Sequence, residues 1–247
     1  GLFQSRLWAF AVTFTTIVIS FSTKTWLAAP STLPFRYPFL PVFVWLLAKT
    51  LNIKNKRHNT FLTIGSGICI GLSFIANTET GIYIIATTIL TYFLFYRLSI
   101  DFWRKSMLSG FSAIFSIVSI CFLLYGKAIF SSRFIVGVFE AILSYGTGFG
   151  DFPMVWGELQ SILYNTAAPI ISLATLGWVA ARNQRRTQST SQGQHAYLAI
   201  FSLLSIFFSI KYINRSFQQT WFVASINSII VLTWWMKYFL SYFFFVF

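Results

Sequence analysis

The chain has 247 residues, of which 56% are hydrophobic, 20% aromatic and only 9% charged, and its formal net charge is +13. A soluble domain carries roughly 25% charged residues, so this composition excludes a water-exposed globular surface. The 18 Lys and Arg residues sit in short clusters between apolar runs and build no continuous basic face, which argues against nucleic acid as a partner.

Several apolar runs approach the ~20 residues needed to cross a ~30 Å hydrocarbon core. The expected fold is all-α: one polytopic membrane helix bundle whose first partner is the lipid bilayer. About eight spans are read near residues 7–22, 37–51, 61–76, 81–96, 106–125, 160–181, 196–211 and 219–236. The first follows GLFQSRLW, which has neither an initiator Met nor the ordered regions of a signal peptide, so a fragment of a longer protein is expected. The second span is short, opens with Pro38 and Pro41, and is expected to enter the membrane obliquely.

Between residues 60 and 96 the only charge is Glu79. As one straight helix this stretch would be about 55 Å long, more than a bilayer spans. The polar break Asn77-Thr78-Glu79-Thr80-Gly81 is therefore the expected tip of a tight helical hairpin. That puts Glu79 at a membrane boundary, either as a solvated turn carboxylate or as one facing a cavity between helices.

The long connection over 126–158 contains an expected amphipathic helix at 132–146. Phe134, Ile135, Val138, Phe139, Ile142 and Leu143 recur at helical spacing, with Arg133, Gly137, Glu140 and Ser144 on another stripe. Such a helix lies in the headgroup plane. Glycine-rich YGTGFGDFPMVWGE follows, with Tyr145, Phe149, Phe152 and Trp156 suited to an interface. GTGFG lacks the Lys-Ser/Thr and the preceding strand of a phosphate loop. Asp151 and Glu158 flank Trp156 but match no standard ligand spacing, so a divalent metal has no motif behind it.

The tract RNQRRTQSTSQGQH (182–195) reads as a flexible polar loop. Beyond the next span, Lys211 and Arg215 are spaced i, i+4, one face of a helix. They suit either snorkelling to headgroups or the binding of a lipid phosphate. The tail SYFFFVF (241–247) is compatible with a further helix or a surface segment. Cys69 and Cys121 lie in apolar runs and read as small buried residues, and His58 and His195 read as solvated loop histidines.

Cytoplasmic loops retain an excess of Lys and Arg. With the N-terminus inside, Arg6, Lys49, Lys54, Lys56, Arg57, Arg97, Arg104, Lys105, Arg182, Arg185, Arg186 and Lys237 fall on the cytoplasmic side. Only Lys24, Arg36, Lys127, Arg133, Lys211 and Arg215 fall outside. Glu79, Glu140, Asp151 and Glu158 are then external and Asp101 internal, a segregation that suggests chemistry on the outer face.

Four stretches carry a resemblance: LPFRYPFLPVFVWLLA (33–48), GICIGLSFIANTETGIYIIATTILTYFLFY (67–96), RFIVGVFEAILSYGTGFGDFPM (133–154) and KYINRSFQQTWFVASINSIIVL (211–232). In order and spacing they resemble the distal half of bacterial multi-pass proteins related to the GT-C glycosyltransferases. The resemblance implies transfer of a sugar from a polyprenyl-phosphate carrier on the non-cytoplasmic face of a bacterial inner membrane. Glu79 and Asp151 would then border the active site, and Lys211 and Arg215 would hold the carrier phosphate. The loop TKTWLAAPSTLPFR (23–36) lacks the acidic residue typical of the first external loop in that family. Two other readings stand beside it: a structural subunit packed against other membrane chains, and a transporter with helices broken at Pro41 and Pro169.

Overall fold

The computed structural model describes residues 7–10, 13–14, 39–53, 55–146, 166–184, 192–214 and 218–246, and the statements below concern these. Among them all regular structure is helical, and no strand occurs. The helices are α1 (Leu40–Asn52), α2 (Lys56–Ala76), α3 (Thr78–Tyr96), α4 (Ile100–Tyr125), a 3-10 turn (Gly126–Phe130), α5 (Ser132–Gly146), α6 (Ala168–Gln184), α7 (Gln192–Asn214) and α8 (Gln218–Val246).

Local chemistry sets most of these boundaries. Pro41 occupies the first turn of α1, where its missing N–H is harmless. Asn55 caps α2 by accepting from the N–H groups of Arg57 and His58 at 3.1 and 3.3 Å. Ser99 does the same for α4 through Phe102 N, at 3.4 Å. Gly126 ends α4 at φ +57°, a conformation glycine adopts without steric cost.

The expected hairpin at 60–96 is present, but its turn is a single residue. The Asn77 N–H closes α2 on Ser73 O (2.8 Å), and its carbonyl opens α3 by accepting from Gly81 N (3.0 Å). Thr78 to Gly81, read as turn residues, already lie in α3. Gly81 is there for close approach: a Cβ on it would lie 2.5 Å from Phe74 Cα. Removing that carbon lets α3 fold straight back onto α2.

A second small-residue contact joins α2 to α4. In GICIG, Gly67 and Gly71 face Ser109, Ala113 and Ser116, and the two helices run in the same direction. A Cβ on Gly67 would collide with Ser109 O, and one on Gly71 with Ser116 Oγ. In lipid, where hydrophobic burial gives helices little reason to associate, such backbone proximity supplies the dispersion contact that does.

Apolar side chains from α1 to α4 and α6 to α8 form one core, with Phe43, Leu47, Ile84, Tyr92, Val179, Leu198 and Phe208 fully enclosed. At one end α6, α7 and α8 are joined by aromatic rings. Trp178 meets Trp234 at 5.0 Å and His195 at 5.2 Å between centroids, and Trp235 Nε1 donates to Thr175 Oγ1 at 2.8 Å.

Four helices are long and apolar enough to cross a bilayer: Lys56–Ala76, Thr78–Tyr96, Ile100–Phe130 and Gly193–Ile210. The α1 segment, the expected short span, is 13 residues, about 20 Å, and falls short of a crossing. The chain is thus an all-α membrane protein, with four such helices among the described residues; of the eight expected spans, 7–22 and 160–181 lie partly outside those residues. Of the first expected span, residues 7–10 and 13–14 are helical and the rest lies outside the described residues.

Helix α5 coincides with the amphipathic segment expected at 132–146. The polar tract is shorter than expected, because α6 continues to Gln184 and α7 starts at Gln192. Arg and Gln are good helix formers, and polarity alone does not end a helix. His195 is consequently a half-buried helix residue against Trp178 rather than a solvated loop histidine, whereas His58 is exposed in the first turn of α2. The tail belongs to α8 as far as Val246. Cys69 is buried and Cys121 half-buried, and both are free thiols.

Gly71→Leu should destabilise the detergent-solubilised protein by about 3 kcal/mol, the upper range of overpacking penalties. Gly110→Ala, where an added Cβ meets nothing within 4 Å, should stabilise it by about 0.5–1 kcal/mol through helix propensity. Thermal unfolding of the two variants checks both.

Candidate functional site

The helix alternation gives the bundle two chemically different ends. At one end lie the α1–α2 and α3–α4 connections, the C-terminus of α6 and the start of α7. Asn183 Nδ2 donates to Leu94 O across this end (3.2 Å), and Gly193 sits beside the Asn52 side chain. Lys49, Lys56, Arg57, Arg97, Arg104, Lys105, Arg182 and Lys237 gather here with Asp101. At the other end lie the Asn77 turn, the 3-10 turn, α5 and the C-terminus of α7, with Lys127, Arg133, Lys211, Glu79 and Glu140.

The cation-rich end is organised by a residue that sequence reasoning had placed among its loop charges. Lys105 is 4% exposed. Its ammonium donates to Thr50 O at 2.8 Å, Asn59 Oδ1 at 2.7 Å and the Tyr96 hydroxyl at 2.9 Å. It also lies 4.7 Å from the Tyr96 ring centroid, within cation–π range. Asn59 Nδ2 in turn donates to Thr50 O and Ile53 O at 2.6 and 2.9 Å. The Thr50 carbonyl belongs to the last turn of α1, where four carbonyls lack helical partners and the helix dipole is negative. One ammonium therefore closes α1 while binding α2 through Asn59 and α3 through Tyr96.

All three N–H donors of Lys105 are used by neutral oxygens, so this cation is a positioning residue and offers nothing to a substrate phosphate. The signal for it was present in the sequence. Lys105 falls on the stripe of Phe102, Ser109, Ala113 and Ser116, the buried face of α4, while Arg104 is exposed and pairs with Asp101 at 3.4 Å. That surface pair contributes about 0–1 kcal/mol.

At the opposite end Glu79 is half-buried in the first turn of α3, where the helix dipole favours a carboxylate. The backbone of Lys211 lies in the last turn of α7. Its side chain, all of Arg215, and Asp151 and Glu158 lie outside the described residues. Glu79 and the end of α7 thus share one end of the bundle. Glu140 is exposed on α5, whose apolar residues Ile135, Val136 and Phe139 are also exposed. Among the described residues no group of three His, Cys, Asp or Glu side chains is placed to hold a metal.

No protein-family model, no curated protein and no solved structure matches this chain. Its class rests on composition and fold: an all-α membrane protein with a cation-rich end held by Lys105 and an opposite end that carries Glu79.

Lys105→Met should lower stability by about 2–3 kcal/mol, because it removes charge-assisted hydrogen bonds and leaves Asn59 Oδ1 buried without its donor. Tyr96→Phe, which removes one neutral partner, should cost about 1 kcal/mol. Denaturant melts in one detergent give both values.

Proposed function

We propose that the protein is a GT-C-like membrane glycosyltransferase, or part of one, that transfers a sugar from a polyprenyl-phosphate carrier at the non-cytoplasmic face. The observation that carries this reading is the grouping, at the end away from the cation-rich one, of half-buried Glu79, the end of α7 with Lys211, and amphipathic α5. An excess of Lys and Arg marks a cytoplasmic side, so the cation-rich end is assigned there, with the N-terminus, in a bacterial inner membrane. Glu79 and α5 then face outward, α5 lies in the headgroup plane beside the lipid's access route, and the resemblance to the GT-C distal half supplies the reaction.

In this reading Glu79 takes the acidic role that the loop 23–36 lacks, with Asp151 bordering the same site. Lys211 and Arg215 hold the carrier phosphate, where fixed cations stabilise the charge left on the departing lipid phosphate. For the transporter reading, Pro41 sits in the first turn of α1 and does not break it, while Pro169 follows the π-helical residues Thr166 and Ala167 that lead into α6.

A structural-subunit reading draws on one specific feature. The outward face of α4 is apolar and uncovered, with Phe111, Ile114, Phe115 and Leu123 exposed, a surface that lipid or another membrane chain would cover.

The test is binding and transfer with a radiolabelled polyprenyl-phosphate sugar and the chain in liposomes. Saturable binding is expected, weakened about tenfold by Arg215→Ala, the loss of one charge-assisted contact. Transfer should fall in Glu79→Gln with binding retained. Unchanged binding in Arg215→Ala and Lys211→Ala removes both cations from the site, and absence of lipid-phosphate binding together with co-purifying membrane chains favours the subunit.

A further inference from the structure

Of the four helices able to cross a bilayer, α4 is the most apolar and the least covered by the rest of the bundle. At about 100° per residue, Ile100, Met107, Phe111, Phe115 and Phe122 fall within about 80° of one another on its surface. All five are exposed, so this stripe faces the bilayer. Arg104 lies on the same stripe, about 6 Å from the start of the helix, with its side chain 51% exposed. Helical side chains lean toward the N-terminus, which carries this guanidinium to the headgroup level, where phosphate is the anion at hand.

The corner that leads into α4 adds a second cation in a strained place. Arg97 has φ +52° and ψ −144°, and among the described residues it alone combines a side chain with positive φ. Glycine closes such a turn without steric conflict, and arginine does not. The turn is held by Arg97 N–H donating to Phe93 O at 2.7 Å and Ser99 N–H donating to Tyr96 O at 3.3 Å. What arginine adds is an exposed guanidinium. Residues 97–99 alone connect α3 to α4, so Arg97 and Arg104 share one corner.

The surface around them is apolar and aromatic. Leu98 and Trp103 are exposed. The Trp103 ring packs edge-on against buried Phe102 at 5.1 Å, and Phe102 against Phe93 of α3 at 6.3 Å, which holds an indole where tryptophan favours the membrane interface. Asp101 lies 3.4 Å from Arg104. Two guanidiniums against one carboxylate leave this surface positive.

We propose that the α3–α4 corner binds the phosphate of an anionic phospholipid between Arg97 and Arg104, with the acyl chains laid along Met107, Phe111 and Phe115 of α4. Charge selects the class. A zwitterionic headgroup brings its own ammonium to a surface already positive, whereas an anionic headgroup brings only phosphate charge. Lipid, rather than another membrane chain, then covers α4 at this end. The site lies opposite Glu79 and stands independently of the glycosyltransferase reading.

Bromolipid quenching tests it with the full chain in phosphatidylcholine liposomes, reading the part of the tryptophan fluorescence that Trp103→Phe removes. Brominated phosphatidylglycerol should bind at this corner about tenfold more strongly than brominated phosphatidylcholine. Arg104→Gln and Arg97→Gly should each cut that preference about fivefold, and Arg97→Gly, which relieves the backbone, should keep Tm unchanged or higher. Lys237→Gln, a change of a cation at the same end on α8, should leave the preference within about twofold, because screening weakens distant exposed charges. Excess inorganic phosphate should not displace the lipid. Four results would each overturn the proposal: an unchanged preference in Arg104→Gln and Arg97→Gly, an equal loss in Lys237→Gln, displacement by inorganic phosphate, or no quenching of Trp103 by either bromolipid. The second would reduce the effect to diffuse attraction, and the last would put a protein surface over α4.

Discussion

One buried ammonium, held by three oxygens that carry no formal charge, connects four helices at the cation-rich end of this bundle. Lys105 comes from α4, Thr50 ends α1, Asn59 belongs to the start of α2, and Tyr96 closes α3. A cation moved out of water without a counter-charge is tolerated only if its donors are fully met and a negative dipole faces it. Here the last turn of α1 supplies that dipole, which explains why a helix too short to cross the membrane ends inside the protein. With these four termini tied together, α2 and α4 leave the knot side by side and in the same direction. That is the arrangement the Gly67 and Gly71 contact with Ser109 and Ser116 requires.

What this knot does for function is to fix the far end of the bundle. Because α2 and α3 turn through a single residue, and Gly81 lets them touch, Glu79 is held in the first turn of a helix rather than on a loop. A carboxylate so placed keeps its position relative to α7 and α4. The proposed chemistry at that face needs such rigidity, since transfer from a lipid carrier depends on orienting two reactants at a membrane boundary.

Much of this was legible in the sequence, for reasons that can be named. The apolar runs and the length limit of a bilayer gave the hairpin at 60–96, and helical spacing gave α5 with its bounds. These are signals of period and length, which a single sequence carries openly. The role of Gly81 was misread, because a glycine beside polar residues looks the same whether it serves a turn or a close approach. Lys105 was counted as a loop charge because Arg104 stands next to it, and adjacent residues point about 100° apart on a helix. Its place on the buried stripe of α4 was legible, but its acceptors lie as far as 55 positions away, and local spacing does not name such partners. The polar tract was overdrawn for a related reason: Arg182 and His195 find their partner in Trp178, a contact that only the packing of α6 on α7 reveals. The lipid-phosphate site, by contrast, rests on Lys211 and Arg215 and remains a proposal from spacing and resemblance.

The most direct test of the central claim is a double-mutant cycle between Lys105 and Asn59, using Lys105→Met, Asn59→Leu and the double variant in reversible denaturant unfolding. Residues in one buried hydrogen-bond network couple, whereas independent sites add within about 0.3–0.5 kcal/mol. A coupling energy of about 1.5–3 kcal/mol is expected for a charge-assisted bond of this kind. Additivity within error would contradict the account, because Lys105 would then not be what ties the helix ends together.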